Sequence, residues 1–384
     1  MTVDRAGVVL LHQQYGPYHV ARARALAARL EGRVHFVQLA SRQESHPWEV
    51  VGPAPRIDTV VDGAFESASK ELVAARLRRM LDELRPGVIV IAGYAHPAMR
   101  EAARWCRRHG AASILLSDSH HVDRRRLRVK EWAKRAWVSR HFHAAFVAGS
   151  TSAAYARDLG LATSRIWRGY DVVDNAFFAE AAASGKARGE AFFRELKLPE
   201  RVFLYVGRLS QEKNLERLLD ATEEYQRRAG ARAWGLLLVG GGPQQPMLED
   251  RIRSRRGIAI TGFKQMRELA ELYGAASALV LPSLSEPWGL VINEAMAAGL
   301  PVLGSDRAGA VFDLVFPGVN GYIFDPEDRS DLVDAMLRMS SDQVDRENMG
   351  TASRRLISGY TPEAWAATLA DCIEVTVARR RAEG

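Results

Sequence analysis

The chain of 384 residues is 47% hydrophobic and carries 53 Lys and Arg against 46 Asp and Glu, a formal net charge of +7. That apolar content suffices for two α/β domains with separate cores and excludes a disordered or low-complexity protein. Two cysteines, Cys106 and Cys372, exclude a disulfide framework and fit a reducing compartment, and no apolar run approaches the roughly 20 residues of a membrane span.

Strand and helix signals alternate along the chain, which implies parallel sheets covered on both faces. Val8 to Leu11 reads as a strand, too short for the apolar core of a signal peptide. A turn through Gln13 to Pro17 leads into a helix rich in Ala, Arg and Leu as far as Leu30. Further strands are predicted at Val34 to Leu39, Val88 to Ala92, Ser113 to Ser117 and Ala145 to Ala148. Functional groups in such sheets gather beyond the carboxyl ends of strands. Three stretches have that address. Gly16 with Pro17 forms a turn whose backbone is open to a phosphate or an acceptor, or is a plain turn. Tyr94 and His96 follow the next strand, and His96 is equally suited to capping or packing. The third is Ser117, Asp118, Ser119, His120, His121, Val122, Asp123, Arg124, Arg125, Arg126.

Residues 124–143 are basic, with Arg124, Arg125, Arg126, Arg128, Lys130, Lys134, Arg135 and Arg140 interleaved with Trp132 and Trp137. Two readings stand. One is an amphipathic helix lying on anionic lipid or attracting a lipid diphosphate acceptor, each basic group adding about 1 kcal/mol near the surface. The other is a solvated helix whose tryptophans are core. Nucleic acid is not an expected partner, because no reading motif accompanies the charge. Residues 1–178 form the first expected domain. Glu180 to Lys197 is polar and helical in character, and 179–199 is the expected linker.

A second domain is expected over 200–359. Val202 to Val206 reads as a buried strand running into Gly207, Arg208, Leu209, Ser210, Gln211, Glu212, Lys213 and Asn214. Arg208 offers a planar fork and Lys213 a point charge, which together suit a diphosphate leaving group without metal. Leu236 to Val239 ends in Gly240, Gly241 and Gly242, a weak nucleotide signal by itself. Ile258 to Ile260 leads to Thr261, Gly262 and Phe263. The most informative run is Ser285, Glu286, Pro287, Trp288, Gly289, Leu290, Val291, Ile292, Asn293, Glu294. Its composition predicts a loop holding Glu286 and a helix from near Gly289 until Gly299 and Pro301. Glu294 then lies about 7 Å along the axis at ~1.5 Å per residue, and the amides of Gly289, Leu290 and Val291 form an anion site at the positive end. A phosphate between two carboxylates, each facing hydroxyl-rich groups, describes a nucleotide sugar. After Tyr360 and Thr361, Pro362 opens a last helix, Glu363 to Arg380, within a C-terminal segment 360–384.

Glu286 and Glu294 resemble the Glu, seven residues, Glu motif of the retaining glycosyltransferases of family 4, which have the GT-B fold of two Rossmann-like domains facing a cleft. The resemblance covers nearly the whole chain and is strongest from Val202 to Asp328. It implies that Glu286 positions the sugar, Glu294 holds ribose, and Arg208 and Lys213 stabilise the leaving group. The donor site it outlines includes Gly16, Gly207, Gly241, Gly262, Phe263, Trp288, Gly289, Leu290 and Val291. Either His120 or His121 contacts the donor sugar, with Asp118, Asp123, Arg126, Tyr94 and His96 around the sugar or acceptor. Gly169 to Asp174 is similar to the turn ending the first domain, and the last helix would pack back on that domain. Gly309, Asp313, Gly318, Asn320, Gly321, Asp325 and Asp328 echo the segment closing the nucleotide domain, although Asp313 stands where Glu is more usual.

The activity so implied is metal-independent transfer of a hexosyl unit, with retention, from a UDP-sugar or else a GDP-sugar to an acceptor hydroxyl. No cofactor is expected. Acceptors in such enzymes are glycolipid or polysaccharide precursors or small glycosides, handled in the cytoplasm or at the inner face of the plasma membrane of bacteria. Three other readings use the same residues differently: a sugar-nucleotide epimerase or hydrolase, a disaccharide phosphorylase, and a non-catalytic adaptor binding lipid or protein.

Overall fold

A computed structural model describes residues 7–42, 54–122 and 126–383. The chain divides into two compact units, one of residues 1–121, 125–172 and 360–384, the other of 122–124 and 173–359.

Unit 1 contains strands β1 (Val8–His12), β2 (Val34–Arg42), β3 (Ile57–Ala64), β4 (Val88–Ala92), β5 (Ala112–Ser117), β6 (Ala144–Val147) and β7 (Ile166–Arg168). Between them run helices α1 (Pro17–Arg29), α2 (Lys70–Leu84), α3 (Pro97–His109), α4 (Arg128–His141) and α5 (Ser150–Asp158). The strands form one parallel sheet in the order β3-β2-β1-β4-β5-β6-β7. Alternation along the strands supplies both faces. Val9, Leu11, Ile89 and Ile91 join one core with Leu77, Leu81 and Trp105, while Val8, Leu10, Val88 and Val90 join the other with Leu26 and Trp365. Cys106 and Cys372 are buried free thiols in these two separate cores. The edge strands β3 and β7 were not evident in the sequence, because one-sided pairing leaves them partly exposed and short of apolar signal.

Unit 2 opens with helix α6 (Asn175–Glu195), followed by β8 (Val202–Val206), α7 (Leu215–Ala229), β9 (Gly235–Val239), α8 (Gln245–Ile252), β10 (Ile258–Thr261) and α9 (Met266–Ala275). The rest is β11 (Ala278–Leu281), α10 (Leu290–Ala298), β12 (Val302–Ser305), α11 (Val311–Leu314), β13 (Gly321–Phe324), α12 (Arg329–Ser340) and α13 (Arg346–Ile357). Its sheet is parallel in the order β10-β9-β8-β11-β12-β13. The final helix α14 (Pro362–Glu383) belongs to unit 1, where Trp365, Leu369 and Ile373 pack under the sheet beside α1.

The expected linker, 179–199, is mostly helix, as its composition suggested, but it is part of unit 2, and the division falls at Val172 and Val173 rather than at 178. The physical cause is close helix packing. A side chain at Gly189 would meet the Glu271 carbonyl at 2.5 Å, and one at Gly274 the Ala182 carbonyl at 2.2 Å, so α6 and α9 cross nearly backbone to backbone. Arg188 adds an ion pair to Glu271 at 2.5 Å across the same crossing. A polar helix that looks like a tether in the sequence is thereby held by small residues that carry no hydrophobic signal.

Candidate active site

In both sheets the winding reverses beside the first strand of the series, between β8 and β11 in unit 2 and between β1 and β4 in unit 1. Ligands in open α/β sheets bind beyond the carboxyl ends of the strands at such switch points.

In unit 2 the loop after β8 carries Arg208 and Lys213, and the loop after β11 carries Glu286. Lys213 Nζ donates to Glu286 Oε2, joining groups 73 residues apart in sequence, with their side chains only 16% and 13% exposed. Several bonds hold this geometry. Ser283 Oγ donates to the same Glu286 carboxylate at 3.1 Å, and the Leu284 amide donates to the Glu212 carbonyl at 2.8 Å. Asn214, in a left-handed conformation after the lysine, donates to the Pro282 and Pro326 carbonyls at 3.2 and 2.8 Å. On the far side Glu286 pairs with Ala308 through a parallel bridge, and its carbonyl accepts the Gly309 amide at 3.2 Å. Arg208 is exposed, its backbone fixed by the Tyr205 hydroxyl donating to its carbonyl at 2.9 Å.

Gly289 is the N-cap of α10 with φ +101, and no side chain caps the helix, so Leu290 and Val291 form its first turn. Glu294 sits one turn further, but it is 2% exposed and accepts the Tyr273 hydroxyl at 2.8 Å. That bond braces α10 against α9. Trp288 is likewise buried, its indole N–H donating to Asn293 Oδ1 at 2.9 Å, so its side chain packs inside unit 2 and is not offered to a ligand. The glycine run after β9 has a packing cause: a side chain at Gly240 would meet the Gly207 carbonyl at 2.0 Å. The Leu209 amide in turn donates to the Gly241 carbonyl at 2.9 Å, locking the two loops together. Gly262 has open space around it, and Phe263 is 38% exposed beyond the edge strand β10. Downstream, Asn320 is fully buried, accepting the Phe316 amide and donating to the Leu314 carbonyl, and Asp328 caps α12.

In unit 1 the residues after β1, β4 and β5 take several roles. Gly16 is the N-cap of α1, and its amide donates to His19 Nδ1 at 3.3 Å. His96 caps α3 by accepting the Ala98 amide at 3.2 Å; burial, with Lys70 and Arg100 adding, holds its imidazole below the ordinary value. Tyr94 stacks on Trp137 with ring centres 5.5 Å apart. The His120 side chain is buried, whereas His121 is half exposed and places Nε2 2.9 Å from the Asp158 carboxylate. Arg126, expected at a sugar or acceptor pocket, donates to the His120 carbonyl and to the Tyr155 hydroxyl, with its guanidinium 3.9 Å from the Tyr155 ring centre. Asp123 lies outside the described residues.

A buried ionisable group near this switch point was not singled out from the sequence. His12, the last residue of β1, has its imidazole pushed down to about 3 by burial and then by Arg22. Arg22 donates to the Tyr170 carbonyl at 2.8 Å and lies 3.6 Å from Asp171. Burial, followed by the charge of Asp118, raises the Asp171 carboxyl, and Arg22 opposes them. The polar run His12, Gln13, Gln14 directly after an apolar strand was the available signal. Among the described residues no group of three or more His, Cys, Asp or Glu is arranged to hold a metal ion, and no helix is long and apolar enough to cross a membrane.

Comparison with known proteins bears on both units. Residues 188–356 match the profile of the family described as glycosyl transferases group 1. The chain is 34% identical over 166 residues to sulfoquinovosyl transferase SQD2 of Arabidopsis thaliana, covering 42% of this chain and 31% of that protein. It is 32% identical over 179 residues to D-inositol 3-phosphate glycosyltransferase of Corynebacterium diphtheriae, covering 45% and 41% respectively. The alignments thus span less than half the length of these curated relatives. Among solved structures, Anabaena Alr3699/HepE in complex with UDP and glucose superposes with a TM-score of 0.72 at 16% identity, over 97% of this chain and 100% of that one. Residues 188–356 are therefore similar to the glycosyl transferases group 1 family, and they lie in a chain whose two parallel-sheet, Rossmann-like units have the GT-B fold.

Proposed function

We propose that the protein transfers a hexosyl unit from a nucleoside diphosphate sugar, a UDP-sugar in preference to a GDP-sugar, to an acceptor hydroxyl with retention of anomeric configuration and without a metal. The observation that carries this reading is the Lys213–Glu286 pair at the switch point of unit 2. A carboxylate suited to sugar hydroxyls and an ammonium suited to phosphate are already side by side there, which a donor's anomeric carbon and diphosphate require. The complex of Anabaena Alr3699/HepE with UDP and glucose, on the same fold, supports a donor of this class.

On this reading the bond between the anomeric carbon and the diphosphate oxygen breaks while the acceptor oxygen bonds to that carbon. The acceptor's proton passes to the departing diphosphate. Lys213 and Arg208 stabilise the charge that develops on the leaving group, and the uncapped start of α10 at Gly289 to Val291 adds its dipole. Glu286 orients the sugar. Retention by a covalent intermediate would need a carboxylate under the anomeric carbon, and the pairing of Glu286 with Lys213 favours a positioning role instead. Glu294 is assigned to the ribose, and its hydrogen bond to Tyr273 sets the carboxylate. Of the two histidines, His121 is tied to Asp158, so His120 is assigned to the donor sugar.

Thermal stabilisation by nucleoside diphosphates and their sugars, with and without EDTA, tests the donor site, because binding to the folded state raises Tm by mass action. A metal-independent shift with UDP or GDP is expected, followed by acceptor-dependent release of the diphosphate. No shift with any nucleotide would sink the reading, and release without an acceptor would convert it to a hydrolase.

A further inference from the structure

The N-terminal half of helix α4 is inverted relative to an ordinary surface helix. Amphipathic helices turn apolar residues inward and charges outward. Here the inward face of the N-terminal half holds ions: Glu131 accepts from Lys134 Nζ and from the Tyr155 hydroxyl, each at 2.6 Å, and lies 3.5 Å from the Arg126 guanidinium. The inward face of the C-terminal half is apolar, with Val138 fully buried and Trp137 stacked on His141 and Tyr94. The two tryptophans therefore have opposite fates. Trp137 is packed, while Trp132 is 73% exposed.

Outward, Val129, Trp132, Ala133 and Ala136 recur at helical spacing and are all exposed, Val129 by 79%, with Leu127 at the N-cap exposed by 57%. At about 100° per residue they form one stripe. Arg128 and Arg135 fall along one edge of it, Lys130 along the other, and Arg140 at its C-terminal end. The helix has five Lys or Arg and one acid, and that acid, Glu131, is consumed on the inward face. Among the described residues no carboxylate lies within ion-pair distance of Arg128, Lys130, Arg135 or Arg140.

We infer that this face of α4 docks on an anionic lipid bilayer surface, with Trp132, Val129 and Leu127 entering the headgroup layer and the flanking cations pairing with lipid phosphates. Charge complementarity selects this occupant over a second copy of the chain, since two such stripes would set like charges edge to edge. A tryptophan has an apolar body and a polar N–H, which suits the membrane interface. The inference stands whether or not the transferase reading does, because it rests on α4 alone.

Co-sedimentation of the full chain with phosphatidylcholine vesicles, with and without phosphatidylglycerol, tests it. Binding is expected only to the anionic vesicles and should weaken as salt is added. Arg128→Gln and Lys130→Gln should each lower the partition coefficient about fivefold. Trp132→Ala, exposed and so expected to fold, should lower it by more than tenfold with Tm unchanged. Binding equal to both vesicle types, or indifferent to all three substitutions, would overturn the proposal. Self-association in sedimentation velocity that Trp132→Ala abolishes, without vesicle binding, would assign the stripe to a second copy instead.

Discussion

The two units are wound alike and reverse at equivalent places, yet they treat charge differently there. In unit 2 the ionisable groups, Lys213 and Glu286, sit half-buried on loops that face each other above the strand ends. In unit 1 the groups nearest the switch point, His12, Arg22 and Asp171, are buried, and His12 is held neutral by its surroundings. The fold fixes the same address twice, and in unit 1 burial turns the ionisable groups there to the core.

The largest effect that would test this contrast is on turnover. Lys213→Ala should lower kcat by about a thousandfold, ~4 kcal/mol of transition-state stabilisation, with Tm little changed. Steady-state kinetics showing near-normal turnover would remove unit 2's charge pair from the chemistry.

For unit 1 the expected readout is stability against pH. The folded value of His12 is depressed below its unfolded value, so its contribution is complete above about pH 6.5 and is lost as pH falls toward 3. Wild type should lose about 3 kcal/mol more than His12→Gln between pH 7.5 and pH 4 in urea titrations. Asp171 works in the opposite sense, its raised carboxyl losing stability as pH rises. Equal acid sensitivity in wild type and variant would contradict the buried, neutral imidazole.

A smaller effect is expected where the two glycine loops of unit 2 meet. Gly240→Ala should cost about 2 kcal/mol, because the added carbon meets the Gly207 carbonyl and the residue has φ +140. Chemical denaturation measures it directly, and a neutral result would mean the loops separate easily.

The smallest concerns Glu294. Glu294→Gln, which keeps an acceptor for Tyr273, should leave stability within about 1 kcal/mol while reducing the nucleotide-induced Tm shift; Glu294→Ala should reduce both. If Gln preserves the shift in full, the residue is a brace for α10 and not a ligand contact.

How much of this was legible varies with the range of the signal. The central strands of unit 1 and β8, β9 and β10 of unit 2 were, because apolar runs punctuated by glycine carry their own evidence, whereas β11 and β12 were not singled out. Glu286 and Glu294 were placed in loop and helix by Gly289, Gly299 and Pro301 within one short stretch. The glycines of α6 were not, because a small residue announces close packing only once its partner helix is known. Trp132 and Trp137 differ in nothing that five residues of sequence can express, and their separation into exposed and stacked comes from what lies beside α4.

The sequence by itself determined the alternation of strand and helix, the loops that end in charge, and the kinds of group those loops offer, because these depend on neighbours along the chain. Tertiary structure alone decided that Lys213 reaches Glu286, that Glu294 and Trp288 turn inward, and that Arg126 clamps its own loop. Such outcomes depend on which distant backbones come within hydrogen-bonding distance, and a linear chain carries no local record of that.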